Sequence, residues 1–208
     1  PIGIKPNGLN INYKCGSTYP EIIRKYVKKY KADIGLALDG DSDRCVFVDR
    51  KKGQIDSEKI LFLLLKIINK KNLNKIICSS EIVNKALEFN LAKIKYSLFQ
   101  TKVGDRNVIN SSRKLKSIIG FEPSGHFYFP NLNNSTDGNL TIVLILNYLE
   151  KNLNNFKKIL KLKSYKRIIK NIRISEINIP FKTIKSKLTH IRLLKHEKLL
   201  IRQSIWDP

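Results

Sequence analysis

Two short apolar runs, Ile34 to Leu38 and Cys45 to Val48, flank the segment Asp39-Gly40-Asp41-Ser42-Asp43-Arg44. No other feature constrains the chain as much. Short apolar runs bounded by turn-forming residues read as buried strands, so the acidic segment is a tight connection between two of them. Three carboxylates this close repel one another unless a positive charge offsets them. Gly40 and Ser42 are small enough to let the backbone bend around a common point. Asp39, Asp41 and Asp43 can therefore converge on one hard cation. Three oxygens from one loop leave room for water and a phosphate oxygen, the arrangement Mg2+ prefers.

An EF-hand loop begins similarly, but it needs Gly at its sixth position and Glu at its twelfth. Arg44 and Arg50 stand there instead, which excludes it. A phosphatase loop of the DxD type should lead into a further loop and helix, whereas a strand follows directly here.

Strands and helices alternate along the chain, which implies a layered α/β fold. Thr18-Tyr19-Pro20-Glu21 predicts a helix start, with Thr18 as N-cap and Glu21 closing a capping box. Ile22, Ile23, Tyr26, Val27 and Tyr30 then recur on one helical face. Residues 57 to 70 read as a second helix, turning Ile60, Leu61, Leu64, Leu65 and Ile68 to a core. A polar break from Asn69 to Asn74 marks a domain boundary. After it come a strand at Ile76 to Cys78, a helix at Ser80 to Phe89 and a strand at Ile94 to Ser97. A helix at Asp105 to Lys114, a strand at Ser117 to Phe121, a loop at 131 to 138 and a helix to Glu150 complete this unit. Residues 151 to 165 form a Lys/Asn-rich connector, helical in part, and strands are expected near Ile168 to Ile174 and Leu199 to Arg202.

Two more segments carry chemistry. Gly120-Phe121-Glu122-Pro123-Ser124-Gly125-His126 follows a strand, where α/β sheets place ligands. Glu122 accepts hydrogen bonds, Ser124 accepts and donates, and His126 can move a proton near neutral pH. In Thr101-Lys102-Val103-Gly104-Asp105-Arg106, a flexible Gly104 precedes a helix whose first turn, with Arg106, favours anions.

Charge raises a different class. The chain has 40 basic and 17 acidic residues, a formal net charge of +23, and such a balance points to nucleic acid. Only nine of the forty are Arg. The lysines are spread along the chain beside many Ile and Asn, a set that AT-rich codons alone produce. Neither an aromatic-basic RNA motif nor zinc-finger spacing is present, so nucleic acid is not the expected partner. Three cysteines without a CxxC pair suit a reducing compartment. No apolar run approaches the roughly 18 residues of a membrane helix, and no signal peptide opens the sequence. The expectation is a cytoplasmic protein with no membrane partner.

Read in order, Pro6 to Asn12, Cys15-Gly16-Ser17-Thr18, Pro20-Glu21, the DGDSDR loop, TKVGDR and EPSGH resemble the α-D-phosphohexomutase superfamily. The stretch up to Glu21 is most similar to its phosphoglucosamine mutase branch. The resemblance implies four domains, with mixed sheets flanked by helices, around a deep cleft. A phosphoserine in the first domain hands its phosphate to the sugar, the second holds Mg2+, the third reads the sugar and the fourth clamps its phosphate. Residues 1–72 would be the end of the second domain, 73–153 the third and 154–208 an incomplete start of the fourth. The implied reaction interconverts glucosamine 6-phosphate and glucosamine 1-phosphate through a bisphosphorylated sugar. A mannose or glucose phosphate mutase of the same superfamily is the nearest alternative, and a basic nucleic-acid-binding relic is the alternative of another class.

By the same resemblance, Asp39, Asp41 and Asp43 ligate Mg2+ and Arg44 neighbours the transferring phosphate. Glu122 and Ser124 bind sugar hydroxyls, His126 transfers a proton or orients, and Arg106, Arg202 and Ser204 contact the phosphorylated amino sugar. This chain departs from the pattern at several points. Ser42 replaces a Gly, Phe121 and Pro123 alter a loop that usually reads GEQSGH, and Thr136-Asp137-Gly138 is one residue short of TGDG. Arg202 to Pro208 keeps the Arg, Ser and Pro of an RxSGTEP phosphate clamp without its Gly-Thr-Glu centre. The serine nucleophile has no counterpart, so the chain is expected to be inactive alone. A Met-free start in mid-unit is what a fragment of a longer protein would show, with a decaying gene as the other explanation.

Overall fold

The acidic segment does connect two strands. The computed structural model describes residues 1–68 and 74–162, all within one compact unit. Arg202, Ser204, the strands expected near Ile168 and Leu199 and most of the polar break lie outside the described residues.

Helix α1 (Pro20–Lys29) leads to strand β1 (Ile34–Leu38), which turns through the acidic loop into β2 (Cys45–Asp49). A short β3 (Gly53–Ile55) adds to the other edge of β2, so the first sheet is antiparallel in the order β1-β2-β3, with Leu38 opposite Cys45. Ile23 and Val27 of α1 pack on this sheet with Ala37, Val46 and Val48. Thr18 is not the N-cap. The chain enters α1 through a turn in which Tyr19 N–H donates to Gly16 O at 3.2 Å, and Tyr19 occupies the cap position without a side-chain bond.

Helix α2 (Ser57–Ile68) buries every residue from Ile60 to Leu65. It is apolar nearly all round because it is covered on several sides, the signature of an interior helix. The second sheet begins with β4 (Ile76–Ser80), followed by α3 (Ala86–Ala92), β5 (Ser97–Thr101), α4 (Asp105–Lys114), β6 (Ile119–Phe121) and β7 (Phe127–Tyr128). Its order is β5-β4-β6-β7, with β4 parallel to both neighbours and β7 antiparallel to β6.

Two sequence boundaries shift. Ser80 belongs to β4, where it pairs with Thr101, and α3 starts only after the Asn84 side chain accepts from Ala86 N–H at 3.0 Å. The later helix pushes its closing turn over Ile94 and Lys95, so β5 begins at Ser97 instead of Ile94. Strands β3 and β7 are three and two residues long, too short to leave a periodic trace.

Helix α5 (Gly138–Ile159) is broken at Asn152, whose φ of −137° is non-helical. This is where a helix was expected to give way to a partly helical connector. One apolar core joins Cys45, Phe47 and Ile55 of the first sheet to α2, to β4 and β6, and to Ile145 and Leu149 of α5. Leu64 is fully buried in it, whereas Leu153 is half exposed. Leu64→Ala should cost about 2–5 kcal/mol of unfolding free energy in urea, and Leu153→Ala about 0.5 kcal/mol or less.

Candidate functional site

Backbone geometry brings the acidic loop and the EPSGH loop together. Cys45 N–H donates to Gly125 O at 3.1 Å, and Arg44 pairs with His126 as an isolated antiparallel bridge. Gly138, the first residue of α5, donates its N–H to Ser42 O at 3.0 Å. The two loops and the amino end of α5 thus form one patch of backbone. Gly125 sits at φ +104°, and a Cβ there would run into the Cys45 carbonyl. A Cβ on Gly138 would lie 2.8 Å from the carbonyl oxygens of Ser42 and Arg44. Both positions need glycine because two backbone segments touch there. Ser42 has φ +62°, in the left-handed region, which explains why related loops favour Gly at this position.

One oxygen from each of Asp39, Asp41 and Asp43 lies within 4.8 Å of the others. Asp39 is buried, Asp43 half-buried and Asp41 exposed. Arg44 holds Asp39 twice: its backbone N–H donates to Oδ1 at 3.1 Å and its Nε donates to Oδ2. The same Nε lies 3.6 Å from Asp43 Oδ1, which is buried without a hydrogen-bond partner. Burial works against ionised Asp39, but the bonds and charge of Arg44 outweigh it and hold the carboxyl below its usual range. Burial raises Asp43, and the Asp39 and Asp41 charges add to the rise against an opposing His126. An all-oxygen donor set with one orphaned buried oxygen fits a hard divalent cation.

His126 stands between two carboxylates. Its Nε2 is 3.2 Å from Asp43 Oδ2, and its Nδ1 is 3.4 Å from Glu122 Oε2 and 2.8 Å from Ser124 Oγ. Burial disfavours its charged form, yet the Glu122 hydrogen bond and the two carboxylate charges raise its pKa above the ordinary value. Glu122 is itself buried, which favours the neutral acid, but His126, the Gly104 N–H and the Ser80 hydroxyl prevail and lower it. Gly104 N–H donates to Glu122 Oε1 at 3.1 Å, so the TKVGDR segment reaches the site through its backbone. Arg106 is exposed on the first turn of α4 and makes no ion pair among the described residues.

Sequence reasoning missed two participants. Ser57 Oγ donates to Pro123 O at 2.9 Å and anchors the loop to the start of α2. Ser80 is fully buried at the end of β4, and its hydroxyl lies beside Glu122 and helps to lower that carboxyl's pKa. Neither sits in a recognisable motif. Only strand and helix register brings them in.

Over residues 56–165, more than half of the chain, the sequence matches the family model for the phosphoglucomutase/phosphomannomutase α/β/α domain III. The chain belongs to this family. Among family relatives, it is similar to phosphoglucosamine mutase from Aliarcobacter butzleri, 39% identical over 186 residues that cover 88% of this chain and 42% of that protein. It is similar also to phosphoglucosamine mutase from Lawsonia intracellularis, 34% identical over 217 residues, covering 100% of this chain and 48% of that one. The chain therefore spans less than half the length of these relatives. In fold it is similar to a phosphoglucomutase/phosphomannomutase family protein from Burkholderia thailandensis, with a TM-score of 0.63 and 24% identity over 71% of this chain and 33% of that one. Among the described residues, no helix is long and apolar enough to cross a membrane.

The contact at Gly125 gives a direct check on how the loops are joined. Gly125→Ala should lower the unfolding free energy by about 2 kcal/mol or more, read from urea midpoints, since both its φ and its space exclude a Cβ.

Proposed function

We propose that this chain provides the metal-binding and sugar-binding portion of a phosphoglucosamine mutase that interconverts glucosamine 6-phosphate and glucosamine 1-phosphate. The observation that carries the reading is the 3.2 Å approach of His126 Nε2 to Asp43 Oδ2, which sets the acidic loop and the EPSGH loop in one site. The names of the relatives supply the amino sugar. Residues 1–72 are assigned to the end of a second domain, 73–153 to a third and 154–208 to the start of a fourth.

Asp39, Asp41 and Asp43 would hold Mg2+. When bound, the cation neutralises charge on a transferring phosphoryl group, where positioning and electrostatics dominate the chemistry. Arg44, whose Nε meets Asp39 and Asp43, would neighbour that phosphate. Glu122, fixed by Gly104 and His126, accepts from sugar hydroxyls, and Ser124 adds a second polar contact. His126, close to two carboxylates, holds a proton for exchange with the sugar or orients Glu122. Arg106, Arg202 and Ser204 are assigned to the sugar phosphate. The serine that carries the phosphate has no counterpart among these segments, so the chain alone binds and does not turn over. A reducing, cytoplasmic setting fits the three unpaired cysteines.

Calorimetry with the 208-residue chain and Mg2+ tests this reading. Glucosamine 6-phosphate should bind more tightly than glucose 6-phosphate or mannose 6-phosphate, and Glu122→Gln should weaken it about tenfold or more. Equal affinity for the three sugars would favour a mutase of broader specificity in the same superfamily. Salt-dependent binding of random duplex DNA without sugar-phosphate binding would overturn the proposal in favour of a nucleic-acid-binding relic.

A further inference from the structure

His126 belongs to the EPSGH loop, and its geometry reaches the acidic triad. Asp43 is a carboxylate with two unlike oxygens. Oδ2 lies 3.2 Å from His126 Nε2, whereas Oδ1 is buried and has no hydrogen-bond partner. Oδ1 also faces Asp39, because one Arg44 Nε approaches both Asp43 Oδ1, at 3.6 Å, and Asp39 Oδ2. An ionised carboxylate only accepts, so Nε2 carries the hydrogen in this contact. That holds for the neutral Nε2–H tautomer and for the imidazolium alike. The contact is therefore made by both of these forms, in each of which Nε2 is the donor.

We propose that His126 is a positioning residue for the cation site: it fixes Asp43 by Oδ2 so that Oδ1 is presented to the cation. The inference rests on the triad being a divalent-cation site. Partners that orient a liganding group from outside the coordination shell commonly affect metal affinity by about 10–100-fold. Here the partner comes from a loop 80 residues away, held to the metal loop by the Cys45–Gly125 backbone bond. Its other nitrogen meets Ser124 Oγ at 2.8 Å and Glu122 Oε2 at 3.4 Å, so the residues assigned to the sugar and those assigned to the cation share one imidazole. Binding at either end then biases the other, and the coupling is reciprocal.

The sign of the effect separates this role from plain electrostatics. Removing a neighbour that is neutral or positive should leave a cation bound equally or more tightly if only charge matters. Removing a positioning partner should loosen it.

The experiment is calorimetric titration of the 208-residue chain with Mg2+, and with Mn2+ as a second probe, at one pH. It compares the unsubstituted chain, His126→Ala and His126→Gln, whose amide keeps a donor at a similar reach. The expected result is one cation per chain, about tenfold weaker binding in His126→Ala, and substantial recovery in His126→Gln. Equal or tighter binding in His126→Ala overturns the positioning role while leaving the cation site standing. No cation binding by the unsubstituted chain overturns the metal reading and this inference with it. Should His126→Ala fail to fold by circular dichroism, the unsubstituted chain still decides. Its His126 Nε2 nitrogen resonance should shift with the same midpoint as Mg2+ binding, and a resonance unmoved at saturation sinks the proposal.

Discussion

The close approach of two loops, one after β1 and one after β6, is the constraint on which the rest of the site depends. Each loop is the turn of its own antiparallel strand pair, β1-β2 for the acidic loop and β6-β7 for the EPSGH loop, and the two turns come from different sheets. Each is held by the other, through the Cys45–Gly125 hydrogen bond, the Arg44–His126 bridge and the contact between Asp43 and His126. Two positions must lack a Cβ for this to happen, Gly125 against the Cys45 carbonyl and Gly138 against the carbonyls of Ser42 and Arg44. The backbone packing comes first, and the placement of charged groups follows from it.

Burial then determines how those groups behave. Asp39 lies on the floor of the loop and stays ionised because Arg44 closes over both of its oxygens. Glu122 is buried at the end of β6 and stays ionised because His126 and the Gly104 N–H face it. Asp43 meets His126 through Oδ2, while its buried Oδ1 has no hydrogen bond and only the Arg44 Nε at 3.6 Å. An unsatisfied buried acceptor costs free energy in the folded chain, typically about 1–3 kcal/mol, and a cation at that oxygen would remove the cost. The interior helix α2 and the first turns of α5 supply the rigid backing, since both belong to the core that joins the two sheets.

Much of this was legible in the sequence. The run from Ile34 to Val48 specified two strands and the loop between them, because apolar segments so short, broken by three carboxylates, admit few other structures. Asp105 to Lys114 was legible as a helix from its composition and the preceding Gly104. The motif residues Glu122, Ser124 and His126 could be named, but their distance from Asp43 could not, because it depends on how two sheets share a core. Ser57 and Ser80 were invisible for the same reason: each is an ordinary serine until register sets it beside Pro123 or Glu122. The late start of α3 was hidden by Asn84, whose side chain starts the helix after a turn that propensity alone reads as helical.

We propose that the acidic loop and the EPSGH loop form one cation-centred site. Paramagnetic relaxation by Mn2+ in the nuclear magnetic resonance spectrum of the 208-residue chain tests it most directly. Substoichiometric Mn2+ should broaden the amides of residues 39–44 and 122–126 together, with Gly138 beside them, and broaden Ile76 and Ser97, paired at the opposite end of β4 and β5, far less. Broadening of residues 39–44 with residues 122–126 unaffected, or broadening scattered over the lysine-rich surface, would contradict it.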